Sequence, residues 1–326
     1  MNTLTEISGC LKKGKRAVIC GHEMPDGDSI GSVLAMGFLL DQMGIESYIL
    51  TPDRIPAVYD FLPRPGDIRT ADNLPEKCDL AVILDCTDLN RLGDKLSRYI
   101  SGISVVVNID HHVSNQEFGH CNYVDSKAAA AGEIVFELIK HMGVPLSHNM
   151  AVNLYTAIVM DTGSFRFENT TGRTHELAAE LIGTGLDISG INKNLFEKKE
   201  FVHLKLLGYA LDRLKTAGEG RIAWISLPLG VMHELGAADE HAEGIINYPR
   251  MLDGVEIGLL FREIAPGKVK VGFRSNKHSD VNTLAAAFGG GGHPRAAGCL
   301  VEGSLEAVEK KVIASCARAL QIGVSI

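Results

Sequence analysis

The segment RAVICGHEMPDGDSIGS, residues 16–32, contains a predicted strand, a polar loop and the start of a helix. Its first part, RAVIC, is a short apolar run of the kind that forms a strand covered on both faces. The loop that follows contains His22, Asp26 and Asp28, and a helix is predicted over residues 28–43. A buried strand followed by a loop and a helix is typical of a parallel α/β sheet. We therefore predict an α/β fold for this part of the chain.

The same alternation of strands and helices continues along the chain. In the first half, further strands are predicted at residues 47–50, 80–84 and 105–109, and helices at residues 128–142 and 149–160. From residue 221 a second series begins, with strands at 221–227, 255–261, 268–273 and 296–300 and helices at 282–288 and 305–320. A Pro-Gly turn at residues 266–267 predicts a hairpin. The patterns predict an N-terminal parallel-sheet domain over residues 1–190, a helical linker over 191–217 and a smaller α/β domain over 218–326.

The composition is that of a folded protein with a net negative charge. The chain has 326 residues, of which 45% are hydrophobic and 22% charged, a balance that excludes extended disorder. Its formal net charge of -8 lacks the positive field with which proteins hold long nucleic acid through many phosphates. A small anionic ligand needs only a few local cations. The sequence therefore favours a short or small phosphorylated substrate over a long duplex.

The cysteines and the apolar segments indicate the cellular compartment. The seven cysteines form no CxxC pair and their number is odd, which argues against a disulfide framework and against a thiolate zinc site. The N-terminal residues lack the uninterrupted apolar stretch of a signal peptide, and no segment has the roughly 18 apolar residues of a membrane span. We therefore expect a cytoplasmic protein that does not bind membranes.

Acidic and histidine residues follow the predicted elements of the first half in four places. The four groups are His22, Asp26 and Asp28; Asp85; Asp110, His111 and His112; and Asp161. The first three groups follow predicted strands, and Asp161 follows the helix predicted over residues 149–160. Because ligands bind outside the carboxyl ends of parallel strands, we expect these side chains to meet in one crevice.

Carboxylates that meet in a crevice repel one another unless cations neutralise them. Two divalent ions, bridged by one carboxylate, would supply the missing charge. A ligand set of carboxylates with a minority of imidazoles favours Mn²⁺, with Mg²⁺, Co²⁺ and Zn²⁺ as alternatives. A single acidic residue after a strand is more often a helix cap, and Asp28 in particular could be only the N-cap of its helix. The joint pattern favours a two-metal site. Asp125, Glu133 and His120 are left out of it, because each could be a polar surface residue.

A glycine-rich segment, GGGGHPRAAG at residues 289–298, marks the second domain. Successive glycines let main-chain N–H groups turn towards an anion and form a nest, although a glycine run is more often a flexible turn. The end of the preceding strand supplies Arg274 and Ser275, and an arginine there can bind a phosphate through two N–H groups. Arg166, shortly after Asp161, is a further candidate for a substrate phosphate, with a surface ion pair as the alternative.

Five segments together resemble a known family. GHEMPDGDSIGS, VILDCTD, IDHH and DTGSF are similar to the four motifs of the DHH phosphoesterase superfamily, and GGGGHPRAAG is similar to the glycine-rich motif of its associated C-terminal domain. The resemblance spans nearly the whole chain. In length and domain content the chain resembles the stand-alone nanoRNase branch, whose members are oligoribonucleases and phosphoadenosine-phosphate phosphatases. The resemblance implies a DHH domain followed by a smaller DHH-associated domain.

The resemblance also implies a role for each site residue. One metal would be held by His22, Asp26 and Asp85, and the second by Asp28, Asp85, His111 and Asp161. Asp110 would orient His111, and His112 would face the scissile phosphate to stabilise charge or to protonate the leaving oxygen. In the second domain, the terminal phosphate and sugar would be bound by Arg274 and by the loop of Gly291, Gly292 and His293, with Ser275 beside them.

These implications define the expected function. We expect a two-metal hydrolase that cleaves short oligoribonucleotides and linear dinucleotides such as pApA to mononucleotides, and 3′-phosphoadenosine 5′-phosphate to AMP. The attacking group would be a metal-activated hydroxide. The alternatives are a soluble cyclic-di-AMP phosphodiesterase, a manganese pyrophosphatase and a nucleotide-binding module without turnover. The sequence leaves the oligomeric state open, with a homodimer as one candidate.

Overall fold

The computed structural model describes residues 1–323, apart from the side chain of His293, and shows two compact units. The first unit comprises Met1–Lys198 and the second begins at Lys199. Each unit is built on its own six-stranded sheet. Within the described part of the chain, no helix combines the length and the apolar character needed to cross a membrane.

The sheet of the first unit is entirely parallel. Its strands are β1 (Arg16–Cys20), β2 (Glu46–Thr51), β3 (Asp67–Thr70), β4 (Leu80–Leu84), β5 (Val105–Asp110) and β6 (Cys121–Val124), in the order β3-β2-β1-β4-β5-β6. The direction of winding reverses between β1 and β4, because β2 lies on one side of β1 and β4 on the other. The carboxyl ends of β1 and β4 therefore border the crevice in which open α/β sheets bind ligands.

Helices cover both faces of this sheet. They include α1 (Leu4–Leu11), α2 (Gly27–Gln42), α3 (Gly93–Ser101), α4 (Ala131–His141), α5 (His148–Asp161), α6 (Gly172–Ile182) and α7 (Ile188–Asn192). One face packs on α1, α2, α4 and α5 through side chains such as Leu34 and Leu154, and the other packs on α3 through Leu96. Gly31 lets α2 and α5 approach closely, because a Cβ there would lie 2.4 Å from the main-chain oxygen of Asn153.

The strands and helices predicted for this unit are confirmed, with small shifts at their ends. The strands predicted at residues 16–20 and 80–84 match β1 and β4 residue for residue. The helix predicted over residues 28–43 begins at Gly27, because the Asp26 carboxylate caps it by accepting the main-chain N–H groups of Asp28 and Ser29. The sequence does not predict β3 and β6, since DIRT and CNYV lack an apolar run and are only partly buried.

The chain contains one disulfide, which the number and spacing of its cysteines do not predict. Cys10 of α1 and Cys121 of β6 are disulfide-bonded, and the other five cysteines are free. The two residues are 111 positions apart in sequence. They meet because the N-terminal segment packs beside β6, where Asn2 and Asn122 also share hydrogen bonds. Spacing along the chain gives no sign of such a pairing.

The second unit is a mixed sheet with helices on both faces. Its strands are β7 (Lys215–Ala217), β8 (Ile222–Leu227), β9 (Ile257–Ala265), β10 (Lys268–Ser275), β11 (Gly291–His293) and β12 (Ala296–Glu302), in the order β11-β12-β10-β9-β8-β7. Its helices include α8 (Phe201–Asp212), α9 (Leu229–Glu234), α10 (Asn247–Met251), α11 (Val281–Ala286) and α12 (Leu305–Leu320). The predicted hairpin joins β9 to β10. One face packs on α12 through residues such as Phe273, and the other is partly covered by α8, α9 and α10.

The glycine-rich segment forms a strand instead of an open anion-binding turn. Gly291–His293 is β11, which pairs antiparallel with β12 at the edge of the sheet. Glycine is required here for close approach, since a Cβ on Gly292 would lie 2.5 Å from the main-chain oxygen of Ala296. A strand at residues 291–293 differs from the open turn that a nest would require.

Candidate metal centre

The predicted ligands converge at the carboxyl end of the first sheet. They are placed there by β1, which precedes His22 and Asp26; by β4 and β5, which precede Asp85 and His111; and by α2 and α5, which contain Asp28 and Asp161. The nitrogen and oxygen atoms of these side chains form overlapping groups, in each of which all donor atoms lie within 4.8 Å of one another. The crevice at the switch point of the sheet therefore contains the acidic and histidine cluster.

The first ligand group consists of His22, Asp26 and Asp85. His22 is buried, and its Nδ1 lies 2.7 Å from the main-chain oxygen of Glu23. Donation from Nδ1 leaves the lone pair on Nε2, which lies 3.4 Å from Oδ2 of Asp85. Asp26 is fixed by its role as the cap of α2. One imidazole and two carboxylates form a donor set that suits a divalent cation.

The second ligand group consists of Asp28, His111 and Asp161. Nδ1 of His111 lies 3.3 Å from the main-chain oxygen of Ala128, so that Nε2 faces the carboxylates. Nε2 lies 3.7 Å from Oδ2 of Asp28 and 3.5 Å from Oδ2 of Asp161. Asp28 is not the cap of its helix, and its side chain instead points into this group. The second group thus repeats the donor types of the first.

Asp85 lies between the two groups and offers one oxygen to each. Its Oδ2 faces His22, while its Oδ1 lies 3.5 Å from Nε2 of His111. The side chain is 2% exposed, and within the described part of the chain Oδ1 has no hydrogen-bond partner. The main chain of Asp85 has a φ of 53°, a left-handed conformation that is uncommon for residues other than glycine. Such strain persists mainly at functional sites.

The separations within both groups fit shared cations. The nitrogen–oxygen distances are 3.4–3.7 Å, longer than the roughly 2.7–3.2 Å of direct hydrogen bonds. Two donor atoms that are each about 2.1 Å from one ion lie roughly 3.0–3.4 Å apart at tetrahedral or octahedral angles. The buried Oδ1 of Asp85 would gain a partner in this arrangement. The residues present therefore fit two divalent cations.

The pKa values of the ligands reflect uncompensated negative charge. Burial, and then the charge of Asp85, raise the pKa of Asp28 well above its usual value. Burial raises the pKa of Asp161 to about 7. Burial alone would lower the pKa of His111, but the carboxylates of Asp85, Asp28 and Asp161 outweigh it and raise that pKa to about 10. Without cations the cluster therefore holds protons, which divalent ions would displace on binding.

Asp110 and His112 form a hydrogen-bonded pair beside the ligands. Oδ1 of Asp110 lies 2.8 Å from Nδ1 of His112 and also accepts the main-chain N–H of His111 at 2.7 Å. Its Oδ2 accepts the side-chain amide of Asn115 at 2.6 Å. Asp110 thus orients the ring of His112. This differs from the expected orientation of the His111 ring by Asp110, because the main-chain oxygen of Ala128 faces Nδ1 of His111.

The segment over residues 125–132, a loop that ends in the first turn of α4, positions the second ligand group. Besides the oxygen of Ala128, it provides the main-chain N–H groups of Ala131 and Gly132, which donate to the Asp28 carboxylate at 2.6 and 2.9 Å. The side-chain amide of Asn169 donates to the main-chain oxygens of Ala129 at 2.9 Å and Asp161 at 3.1 Å. Asn169 therefore connects this loop to the end of α5. The sequence does not indicate this role for Asn169, since an asparagine in a loop is usually a turn residue.

An ion-pair network anchors the same loop from the outside. Arg173 of α6 lies 2.9 Å from Asp125 and 2.7 Å from Glu137. Glu133 is fully buried, and its Oε2 accepts the main-chain N–H of Ala129 at 3.2 Å. The interpretation of Asp125 and Glu133 as polar surface residues is therefore wrong. Both hold the loop that orients the ligands, a tertiary role that leaves no pattern in the sequence.

Arg166 lies in a loop with an unusual main chain. Gly163, Ser164 and Phe165 have φ values of 55°, 61° and 61°, three consecutive left-handed residues directly after α5. Arg166 itself is exposed, and its Nε donates to the main-chain oxygen of Gly163 at 2.6 Å. The alternative of a surface ion pair finds no support, since Arg166 has no ion pair within the described part of the chain.

The candidate substrate residues of the second unit lie near the end of β10. Arg274 is half-buried, and its Nη1 donates to the main-chain oxygen of Phe273 at 3.0 Å. Burial lowers the pKa of Arg274, and the charge of Arg250 lowers it further. The hydroxyl of Ser275 is buried and donates to the main-chain oxygen of Ser279 at 2.7 Å, so that it holds the turn after β10.

Two family models match the chain. The DHH family N-terminal domain matches residues 16–158, and the DHHA1 domain matches residues 226–318. The chain is similar to a Thermus thermophilus protein named bifunctional oligoribonuclease and PAP phosphatase NrnA. The two are 32% identical over 289 residues, which cover 87% of this chain and 84% of that relative. The chain belongs to the DHH family.

Further DHH family relatives align over most of the chain. A Bacillus subtilis protein of the same name is 28% identical over 300 residues, 91% of this chain and 93% of the relative. A crystal structure of an exopolyphosphatase-related protein from Bacteroides fragilis superposes with a TM-score of 0.90 and 26% identity, covering 98% of this chain and 95% of that one. These comparisons confirm the family resemblance and the fold. DHH family phosphoesterases are hydrolases that use divalent metal ions, and this chain is one of them.

Proposed function

We propose that this DHH family protein hydrolyses short oligoribonucleotides and linear dinucleotides such as pApA to mononucleotides, and 3′-phosphoadenosine 5′-phosphate to AMP. The observation that supports the proposal most strongly is the pair of ligand groups that share Asp85. Relatives named for oligoribonuclease and PAP phosphatase activities align over most of the chain. The net charge of -8 disfavours a long polyanion as the substrate.

Six side chains would hold two divalent ions in this proposal. They are His22, Asp26 and Asp85 for one ion, and Asp28, His111 and Asp161 for the other, with Asp85 as the bridge. When bound, the ions supply the positive charge that activates a water molecule and neutralises the phosphate. The chain itself fixes the donors in place, through the cap of α2 and through the Nδ1 contacts of the two histidines. No protein nucleophile is needed.

His112 is the proposed residue for the leaving group. Its Nδ1 contact with Asp110 fixes the ring orientation and the tautomer, so that proton exchange takes place at Nε2. A ring in this position can donate a proton to the leaving oxygen or stabilise charge on the phosphate. Asp85 acts on the reaction only through the ions that it would bridge.

Manganese is the proposed native metal. The six donors are four carboxylates and two imidazoles, and no thiol takes part in either group. Carboxylate-rich sites with some imidazole suit Mn²⁺, while Mg²⁺ and Co²⁺ are the closest alternatives.

The second unit is proposed to bind the terminal phosphate of the substrate. Arg274 of β10 is its main candidate. The main chain of Gly291, Gly292 and His293 in β11 is a further candidate, because β11 and β10 both pair with β12. Ser275 would act indirectly, because its hydroxyl holds the turn after β10. Arg166 in the first unit is proposed as a further phosphate contact. In this proposal, residues 1–190 form the catalytic domain, residues 191–217 form a helical linker and residues 218–326 form the substrate-binding domain.

A substrate panel tests the proposed function. Purified protein with Mn²⁺ is incubated with di- to penta-ribonucleotides, linear and cyclic di-AMP, 3′-phosphoadenosine 5′-phosphate and pyrophosphate. We expect release of mononucleotides from the short linear substrates and of AMP from phosphoadenosine phosphate. Asp85→Asn should abolish turnover. Asp60→Asn is the matched control, since Asp60 is exposed and forms an ion pair with the exposed Arg64.

Two outcomes would contradict the proposal. Binding of a labelled dinucleotide without any product would indicate a nucleotide-binding module. Hydrolysis of pyrophosphate or cyclic di-AMP alone, with linear dinucleotides left intact, would assign the metal centre to a different substrate class.

A further inference from the structure

The guanidinium group of Arg274 lies beside a second arginine. Gly258 of β9 is paired directly with Arg274 of β10, so both positions face the same side of the sheet. A Cβ placed on Gly258 would lie 2.9 Å from the main-chain nitrogen of Arg250 and 3.2 Å from its Cβ. Glycine at 258 therefore lets α10 rest on the strand, and this contact places Arg250 next to Arg274. The charge of Arg250 contributes to the lowered pKa of Arg274, in agreement with this placement.

Neither arginine has an acidic partner within the described part of the chain. The side chain of Arg274 donates to the main-chain oxygen of Phe273, and α10 is held at Arg250 through a main-chain oxygen that accepts the amide of Asn276 at 2.9 Å. Both residues are half-buried. Two positive charges that are partly removed from water and close together are unfavourable unless an anion lies between them.

Arg262, a neighbouring arginine of the same sheet, differs from Arg250 and Arg274 because it has an acidic partner. Arg262 of β9 lies 3.1 Å from the carboxylate of Asp239 and also donates to its main-chain oxygen. Arg262 and Arg274 line one cavity of about 410 Å³. Within the described residues its acidic side chains, Asp239, Glu240 and Glu243, form no ion pair with Arg250 or Arg274. The charge of Arg262 is therefore neutralised, whereas the charges of the other two arginines are not.

The cavity that Arg274 lines has a volume suited to a nucleotide. Its volume lies within the range of roughly 300–1,000 Å³ that small-molecule sites occupy. Gly298 lines it, and a Cβ placed there would meet only the main-chain oxygen of Val271, at 3.3 Å, whereas Gly272 is covered by the side chain of Ile246. A phosphate next to Arg274 with its nucleoside in the adjoining cavity would fit this arrangement.

We propose that Arg250 and Arg274 together form a phosphate site in the second unit, which binds the terminal phosphate of a nucleotide whose nucleoside occupies the cavity lined by Arg274 and Gly298. The inference rests on the proposed function and adds Arg250 as a residue that determines specificity for phosphorylated ends. Guanidinium groups bind phosphate through paired, charge-assisted hydrogen bonds, and two of them can share one phosphate.

The test compares one dinucleotide with and without a 5′-phosphate. For wild-type protein the KM for pApA should be lower than that for ApA. Arg250→Gln should raise the KM for pApA by about tenfold, the loss expected for hydrogen bonds to a charged group, and leave the KM for ApA unchanged. Arg250→Lys should recover part of the affinity. Arg262→Gln lines the same cavity but is neutralised by Asp239, so it should leave the pApA to ApA ratio unchanged.

A binding measurement separates this inference from the proposed function. Thermal unfolding is recorded with AMP and with adenosine, which differ only in the phosphate. AMP should stabilise the wild-type protein more than adenosine does, and Arg250→Gln should remove the difference even if no dinucleotide is cleaved. The inference is overturned if Arg250→Gln changes the KM for pApA and ApA equally, or if it keeps the full preference for AMP. Failure of the wild-type protein to cleave either dinucleotide would instead contradict the proposed function.

Discussion

The side-chain amide of Asn169 lies 3.1 Å from the main-chain oxygen of Asp161 and donates a hydrogen bond to it. The same amide donates to Ala129 in the loop that orients His111 and Asp28. Asn169 thus links two segments that each supply a proposed metal ligand. Side chains that hold the ligands of a metal usually affect its affinity by about tenfold to a hundredfold.

Asn169→Ala should weaken binding of the metal that Asp161 and His111 would share. We expect a loss of about tenfold in Mn²⁺ affinity for one of the two sites, measured by calorimetric titration of metal-free protein. Asn194→Ala is the matched control, because Asn194 also donates its amide to a main-chain oxygen, that of Gly190, which lies outside the segments that carry the proposed ligands. Equal effects of the two substitutions would contradict a positioning role for Asn169.

Arg173→Met should both destabilise the first unit and weaken the metal site. The substitution removes ion pairs to Asp125 and Glu137 and leaves the buried Glu133 without its cationic neighbour. We expect a loss of about 2 kcal/mol in the free energy of unfolding, measured by urea denaturation. Arg64→Met, which removes only an exposed pair with Asp60, should cost less than about 1 kcal/mol. An unchanged Mn²⁺ affinity in a folded Arg173→Met variant would show that the network serves stability alone.

His112→Asn should slow the reaction in a way that depends on the leaving group. If His112 protonates the leaving oxygen, kcat for a dinucleotide should fall by about 10²–10⁴-fold. A phosphodiester with a p-nitrophenyl leaving group needs no proton and should lose much less. Asp110→Asn should follow the same pattern more weakly, since it disturbs the orientation of the His112 ring but leaves the ring in place. Equal losses on both substrates would contradict the role of a general acid.

Metal affinity should rise with pH through neutrality. The pKa of Asp161 is raised to about 7 and that of His111 to about 10 in the metal-free protein, so both groups bind protons that a metal must displace. Each released proton changes the affinity by up to about tenfold per pH unit. Calorimetry in buffers of different ionisation enthalpy should detect proton release at pH 7. Affinity that is independent of pH between 6 and 8 would contradict these protonation states.

The stability of the metal-free protein should change in the opposite direction. The folded pKa of Asp161 lies above its unfolded value of 3.8, so the folded state binds the extra proton between pH 3.8 and about 7. That contribution is present below this window and is lost as pH rises through it. The raised pKa of His111 has the same sign between 6.5 and about 10. Asp161→Asn should remove the lower part of this decline, as measured by thermal unfolding.

The sequence is sufficient to predict those parts of the fold that depend on local patterns. β1 and β4 are short apolar runs, and the hairpin between β9 and β10 has a Pro-Gly turn, so both are evident from periodicity and turn chemistry. β3 and β6 lie at the edges of the sheet and are half-exposed, and their composition does not distinguish them from loops. The pairing of Cys10 with Cys121 depends entirely on tertiary packing.

In the candidate site, too, the residues that follow local sequence patterns are predicted and those that depend on tertiary contacts are not. The acidic and histidine ligands follow predicted elements, and parallel topology alone is enough to bring them together. The contacts of Ala128, Asn169 and Arg173 are made by main-chain atoms or by residues of loops and a distant helix, and they leave no motif. At the glycine-rich segment the sequence suggests a turn where the structure has a strand. Glycines that allow close strand pairing cannot be distinguished by sequence from glycines of an anion-binding turn.

Asp85 is proposed to bridge two metal ions, and the whole mechanism depends on this bridge. It is tested most directly by electron paramagnetic resonance of protein loaded with Mn²⁺, together with the metal content per chain. We expect the wild-type protein to bind two ions per chain with the spectrum of an exchange-coupled pair. The coupling should be lost in Asp85→Asn. One ion per chain, or two ions whose spectra are independent in the wild-type protein, would contradict it.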